Sequence, residues 1–183
     1  MILHHEVLDS PIDPLLAVVS EDGLVALEFN GLRRLAFARK RLSSFIPDAT
    51  FEEAPRRGGP LAPVREWFRA YWAGSAVPAL KYRLYGTEFQ VAVWEALFEV
   101  PAGSTATYGS LARRVGRPDA ARAVGAAVGQ NPIAIVAPCH RIVGADGSLT
   151  GFGGGLPRKK WLLAHEGAQY GGHTAGQLAL WGA

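Results

Sequence analysis

An α/β protein in two domains is the fold class this sequence predicts, and three features predict it. Short apolar runs separated by turn residues fill the first part of the chain. From Gly86 onward the apolar spacing becomes helical and stays so through three consecutive segments. The last two of those segments are short and joined by a Gly-containing turn, which is a helix-turn-helix pattern. The expected division is an α/β unit with an antiparallel-leaning sheet over 1–85, a mostly helical unit over 86–167 and a tail over 168–183.

Each element has a local reason. Ile2 to Leu8, Leu15 to Val19 and Leu24 to Phe29 read as strands, with turns at Asp9-Ser10-Pro11 and Glu21-Asp22-Gly23. Asp22-Gly23 between apolar runs is a hairpin signal. Leu32, Leu35, Ala36 and Leu42 fall at helical spacing, and Arg33, Arg34, Arg39, Lys40 and Arg41 occupy the other faces, a solvated basic surface. Phe45 to Phe51 reads as a connection or one short strand, and Arg56 to Pro60 as a loop. Val64, Trp67, Phe68, Tyr71 and Trp72 form a helical aromatic stripe of the kind that fills cores. Leu80 to Tyr85 reads as a further strand.

In the second part, Thr87-x-x-Gln90 is a capping box, with Phe89, Val93, Ala96, Leu97 and Val100 following at helical spacing. Pro101-Ala102-Gly103 ends that helix. Thr107 is placed to cap a helix from Tyr108 to Val115, and Gly116-Arg117-Pro118 turns the chain. Asp119 is placed to cap a third helix from Ala120 to about Gly129. Its small residues, Ala120, Ala121, Ala123 and Gly125 among them, suit either close helix packing or a narrow groove. The tail is Gly-rich, with Leu178, Leu180 and Trp181 near its end.

Bulk properties bound the function. A net charge of +3 permits a polyanionic partner without demanding one. The single cysteine allows no internal disulfide, and a reducing cytoplasmic compartment fits it best. Without a second ligand type nearby, His4 and His5 read as a strand-borne pair, and no metal is expected. Neither a signal peptide nor a membrane span is legible.

That cysteine stands in Ala137-Pro138-Cys139-His140-Arg141-Ile142-Val143. A lone thiol beside an imidazole is either a small buried hydrophobe or a nucleophile, and spacing alone leaves both open. As a nucleophile it needs a base and a group that orients the base; Glu166, at the end of the last helix, is the best candidate for the second role.

Pro138-Cys139-His140-Arg141-Ile142-Val143 resembles the acceptor motif of O6-alkylguanine-DNA alkyltransferases. Further motifs of that family follow in family order: Gly86-Thr87-x-Phe89-Gln90-x-x-Val93-Trp94, Tyr108-Gly109-x-Leu111-Ala112, Ala120-Ala121-Arg122-Ala123-Val124-Gly125, Asn131-Pro132, and Gly154-Gly155-Leu156 with Trp161-Leu162-Leu163. The resemblance implies a ribonuclease-H-like α/β N-terminal domain and a mostly helical, winged-helix or helix-turn-helix-like alkyltransferase domain. It also implies a DNA repair protein, acting as a cytoplasmic monomer, that binds double-stranded DNA from the minor groove. Such a protein flips O6-alkylguanine out of the duplex and transfers the alkyl group irreversibly to its own cysteine, once per chain, with no cofactor.

The family roles fall on named residues. Cys139 is the implied acceptor, ionised at rest. His140 draws off its proton through a water, Glu166 orients the imidazole, and Asn131 braces the turn before the cysteine. Arg122 fills the vacancy left by the flipped base, on a helix whose Ala120, Ala121, Ala123 and Gly125 approach the groove. Tyr108 crowds the 3′ phosphate and donates to N3 of the guanine. Ile142, Phe152, Gly153 and Val128 line the pocket, the carbonyls of Cys139 and Ile142 accepting from the exocyclic amine and the amide of Gly153 facing O6. Phe152, Gly153 and Ala134 stand where relatives carry Tyr, Ser and Pro, which implies weak use of free O6-benzylguanine.

Overall fold

Apolar alternation in the N-terminal runs builds a four-stranded sheet from β1 (Ile2–Leu8), β2 (Leu15–Ser20), β3 (Gly23–Phe29) and β4 (Thr50–Glu53), in the order β3-β2-β1-β4. The computed structural model describes residues 1–171; the expected tail lies largely outside them, Leu178, Leu180 and Trp181 included. The protein is mixed α/β, and its chain divides into two units. The first is Met1–Tyr85 with Pro132–Ala134; the second is Gly86–Asn131 with the residues from Ile135 onward.

In the first unit β1 pairs antiparallel with β2 and β2 with β3, while β4 runs parallel to β1. The β2–β3 hairpin turns at Gly23, whose φ is +114°. A Cβ there would lie 2.2 Å from the Lys81 carbonyl oxygen, so both the conformation and the space demand glycine. The helical spacing that begins at Leu32 starts as a 3₁₀ turn, Gly31–Arg34, and becomes α1 only over Leu35–Ser43. Ala38 and Leu42 of α1 pack with Leu3, Leu16, Val18 and Val25 of the sheet. The aromatic stripe is α2 (Ala62–Trp72), with Trp67 stacked on Tyr71 and Phe68 on Trp72, four residues apart in each case.

One expected strand is absent. Of Leu80 to Tyr85, only Tyr82 pairs with the sheet, in parallel with Leu24. Continued pairing would set Tyr85 against Leu27, but Ile133 already occupies that edge. Leu27 donates its amide to the Pro132 carbonyl and accepts from Ala134.

The second unit is built from α3 (Glu88–Leu97), α4 (Tyr108–Arg114), α5 (Ala121–Gly129) and α6 (Leu156–His165). Capping boxes start the first two, Thr87 with Gln90 and Thr107 with Ser110. Asp119 does not cap α5. The amide of Ala120 closes a turn onto the Arg117 carbonyl at 2.9 Å, with Pro118 and Asp119 between them. The N-cap is therefore Ala120, which has no side-chain oxygen to offer, and Asp119 sits one residue too early. The Trp94 indole nitrogen donates to the Ala127 carbonyl at 2.8 Å and pins α3 to α5. Two short strands, β5 (Ala106–Thr107) and β6 (Ile142–Val143), pair in parallel. That ladder sets the start of α4, where Tyr108 stands, beside the chain leaving Cys139.

Candidate active site

Cys139 opens a 3₁₀ turn, Cys139–Arg141, that leads straight into β6. Pro138 before it has φ −81° and ψ 62°, and the Cys139 amide donates to the Ala137 carbonyl at 2.8 Å. Those values describe an inverse γ-turn, which the proline ring favours by fixing φ. The Asn131 side-chain amide donates to the same carbonyl at 2.7 Å. Asn131 thus ties the end of α5 to the residue two before the cysteine.

The thiol is buried. Burial pushes it up, and the Asn131 side chain, the Lys159 charge and the amides of Cys139 and His140 oppose the rise without reversing it. The sulfur of the DNA-free protein therefore keeps its proton at neutral pH. This corrects the expectation of a resting thiolate: the deprotonated form must arise within the reaction.

His140, the next residue, is wholly buried, and its Nε2 donates to Glu166 Oε1 at 2.9 Å. Its Nδ1 is buried with no hydrogen-bond partner among the described residues. Burial lowers the imidazole more than Glu166 raises it, so the ring is neutral and Nδ1 carries the lone pair. Glu166 caps the C-terminus of α6. Gly167 follows with φ +70°, its amide on the Ala164 carbonyl and the Ala168 amide on that of Leu163. This is a Schellman turn, and the left-handed glycine ends the helix at the glutamate. Arg141 grips the same carboxylate twice, Nε to Oε2 and Nη2 to Oε1, both at 2.8 Å. It also donates through Nη1 to the Val100 carbonyl at 2.5 Å. Burial alone would raise the Glu166 carboxyl, but His140 and Arg141 outweigh it and hold the group well below the usual carboxylate range.

Tyr108 stands at the first position of α4, half-buried, and burial raises its hydroxyl, which stays protonated. That hydroxyl donates to the carbonyls of Thr150 and Gly151, at 3.2 and 3.1 Å. Lys159 of α6 is wholly buried and points its ammonium at the carbonyls of Ile142, Thr150 and Gly151. Burial lowers it to about 8, with Cys139 pulling the other way.

Other expected residues take these places. Arg122 is exposed in the first turn of α5 and makes no ion pair among the described residues. Ala123 is exposed, Ala120, Ala121 and Gly125 are half-buried, and a Cβ on Gly125 would touch the Tyr108 ring at 3.6 Å. Val128 and Ile142 are buried, and Phe152 is half-buried. Gly153 is exposed, and a side chain there would meet the Gly129 carbonyl at 3.3 Å. The Cys139 carbonyl already accepts from the Ile142 amide, and the Ile142 carbonyl from Lys159. Sequence reasoning missed Arg141 and Lys159. The first lay inside the quoted hexamer; the second carries no signal separating it from its neighbours Arg158 and Lys160.

Among the described residues no three His, Cys, Asp or Glu side chains group to hold a metal ion. No helix among them is long and apolar enough to cross a membrane.

Residues 88–168 match the family described as 6-O-methylguanine DNA methyltransferase, DNA binding domain. The methylated-DNA–protein-cysteine methyltransferase of Methanosarcina acetivorans is 39% identical over 168 residues, which are 91% of this chain and 99% of that one. The crystal structure of Mycobacterium tuberculosis O6-methylguanine methyltransferase is 38% identical with a TM-score of 0.75, over 90% of this chain and 93% of that one. The OGT of the same organism, in complex with DNA, is 36% identical with a TM-score of 0.74, over 94% and 96% of the two chains.

Proposed function

The chain belongs to the methylated-DNA–protein-cysteine methyltransferase family, and from that premise we propose that it strips alkyl groups from O6 of guanine in double-stranded DNA and keeps each one on Cys139. The observation that carries this reading is the buried linkage of His140, Glu166 and Arg141 next to the buried Cys139, in which His140 Nδ1 is basic and has no hydrogen-bond partner among the described residues.

The thiol yields its proton to His140 Nδ1 through a water as the substrate arrives, and the ionised Glu166 stabilises the imidazolium. The sulfur attacks the alkyl carbon. The S–C bond forms, the C–O6 bond breaks, and the electron pair returns to the guanine ring. Tyr108, protonated, donates to N3 and lowers the charge on the departing base. The thioether is not hydrolysed at neutral pH, so each chain reacts once, and the chemistry calls for no cofactor.

The reacting atom lies inside the duplex, so the nucleotide must leave the stack. Arg122, exposed and without an ion pair among the described residues, fills its place from the minor groove, and the small residues Ala120, Ala121, Ala123 and Gly125 let α5 come close. Val128, Ile142, Phe152 and Gly153 line the pocket for the flipped base. In this reading α4 and α5 are a helix-turn-helix of a winged-helix-like domain over 86–167. The sheet over 1–85 is ribonuclease-H-like, 168–183 is a tail, and the protein works as a cytoplasmic monomer.

The test is incubation with a duplex carrying O6-methylguanine, followed by mass spectrometry of the Cys139 peptide. One added methyl per chain is expected, and none on Cys139→Ser. Repeated turnover, or clearance of the lesion by Cys139→Ser at the wild-type yield, overturns the reading.

A further inference from the structure

Lys159 is the one charged residue buried completely among the described residues, and its ammonium shares two acceptors with the hydroxyl assigned to the leaving base. Thr150 and Gly151 offer their carbonyls to both. Tyr108 has one proton for two oxygens at 3.2 and 3.1 Å, longer than an ordinary O–H···O bond. Lys159 has three protons for three carbonyls, with the Thr150 contact at 2.7 Å and the Gly151 contact longer, at 3.5 Å. A charge-assisted bond is about twice as strong as a neutral one. Of the two donors on the Thr150 carbonyl, the tyrosine at 3.2 Å is the replaceable one.

We propose that Lys159 is a positioning residue for Tyr108: it holds the loop by the Thr150 carbonyl, so that the tyrosine hydroxyl can leave for N3 of the flipped guanine without releasing the loop. The inference rests on the reading of Tyr108 as the donor to the departing base. Before substrate enters, the hydroxyl leans on the two carbonyls and is held at the pocket side of α4. When guanine arrives, the hydroxyl swings to N3, and the ammonium keeps the Thr150 carbonyl, and with it the loop, paired. The same grip extends to Ile142, in the strand that leaves Cys139, so the loop before Phe152 and Gly153 stays in register with the cysteine turn. Without Lys159 the hydroxyl is the only side-chain donor on those carbonyls among the described residues. Leaving them then costs Tyr108 a bond and frees the loop.

The test compares single-turnover methyl transfer from two duplexes, one with O6-methylguanine and one with its 3-deaza analogue, which has no acceptor at position 3. The wild type is expected to be at least about tenfold slower on the analogue, within the range of a lost proton donor. Tyr108→Phe and Lys159→Met are each expected to bring the ratio of the two rates below about threefold by slowing the natural duplex. A Lys159→Met variant that slows both duplexes alike, leaving the ratio at its wild-type value, is acting as a structural prop and overturns the proposal. Lys159→Arg keeps charge and donors and is expected to restore the ratio; if the Met variant does not fold, a flat ratio in the Arg variant overturns the proposal in its place. A wild-type ratio near one is a separate result. It removes the role of Tyr108 and takes the proposal with it, while methyl transfer to Cys139 still stands.

Discussion

Among the described residues two buried glutamates each meet two basic side chains, one glutamate in each unit, and they are finished to different degrees. Glu28 of β3 meets Arg34 at 2.7 Å and Arg41 at 3.5 Å. Its Oε1, and Nε and Nη2 of Arg41, are buried without a hydrogen bond among the described residues. Glu166 accepts from Arg141 on both oxygens and from His140 as well. Both clusters sit in low dielectric, where an incomplete set of bonds is costly and a complete one fixes geometry. The sheet tolerates loose pairing because any counter-charge near Arg41 suffices. The imidazole does not, because its tautomer depends on which nitrogen Glu166 holds.

The sharpest break of that contrast is Glu166→Gln. The amide still reaches His140 but carries no charge to stabilise an imidazolium, and it leaves Arg141 without a counter-ion. Single-turnover transfer from methylated duplex is expected to fall about 100-fold, the lower end of a general-base contribution. A loss under about threefold would mean that the base acts without the carboxylate.

Acid separates the same cluster from the rest of the fold. The folded Glu166 carboxyl lies below its ordinary value of 4.5. Its stabilising effect is therefore complete above about pH 4.5 and is lost as the pH falls toward the folded value. The melting temperature is expected to drop on acidification below that point, and Glu166→Gln should drop less steeply. Parallel curves for the two proteins would assign acid lability to other titrating groups, the buried histidines among them.

This asymmetry also explains what was legible beforehand. Thr87 with Gln90 and Thr107 announce helix starts because a cap is local chemistry, carried by residues three apart. Residue type left Cys139 open between a buried hydrophobe and a nucleophile, and it is the family resemblance that joined it with His140 and Glu166 into one set. Lys159 and Arg141 were not legible, since a buried cation and a surface cation are the same letter, and only tertiary packing decides which it becomes. Pro132–Ala134 beside β3 was equally invisible, because the pairing joins residues about a hundred positions apart. Asp119 failed for a subtler reason: a β-turn through Pro118 took the residue that a cap would have used.

In the first unit, Glu28→Gln is expected to cost about 2 kcal/mol in chemical denaturation, because it strips the counter-charge from a largely buried guanidinium. The methyl-transfer rate of the folded protein should stay within about twofold of wild type. A rate that fell with stability would tie the loose cluster to the chemistry and dissolve the distinction drawn between the two glutamates.

The smallest effect belongs to Arg41→Met. Arg41 already lacks hydrogen bonds at Nε and Nη2, and burial opposes its charge more strongly than Glu28 supports it. A methionine covers the same apolar surface with a flexible stem and removes two unsatisfied donors. Glu28 keeps its 2.7 Å partner in Arg34. Replacing an imperfect buried ion pair by apolar contact is often neutral or stabilising, so the melting temperature should move by no more than about 2 °C, in either direction. The matching change at the other glutamate, Arg141→Met, removes two bonds from Glu166 and one from Val100 and is expected to lower both stability and rate. If Arg41→Met proved as damaging as Arg141→Met, incomplete hydrogen bonding would be no guide to which buried charge the protein needs.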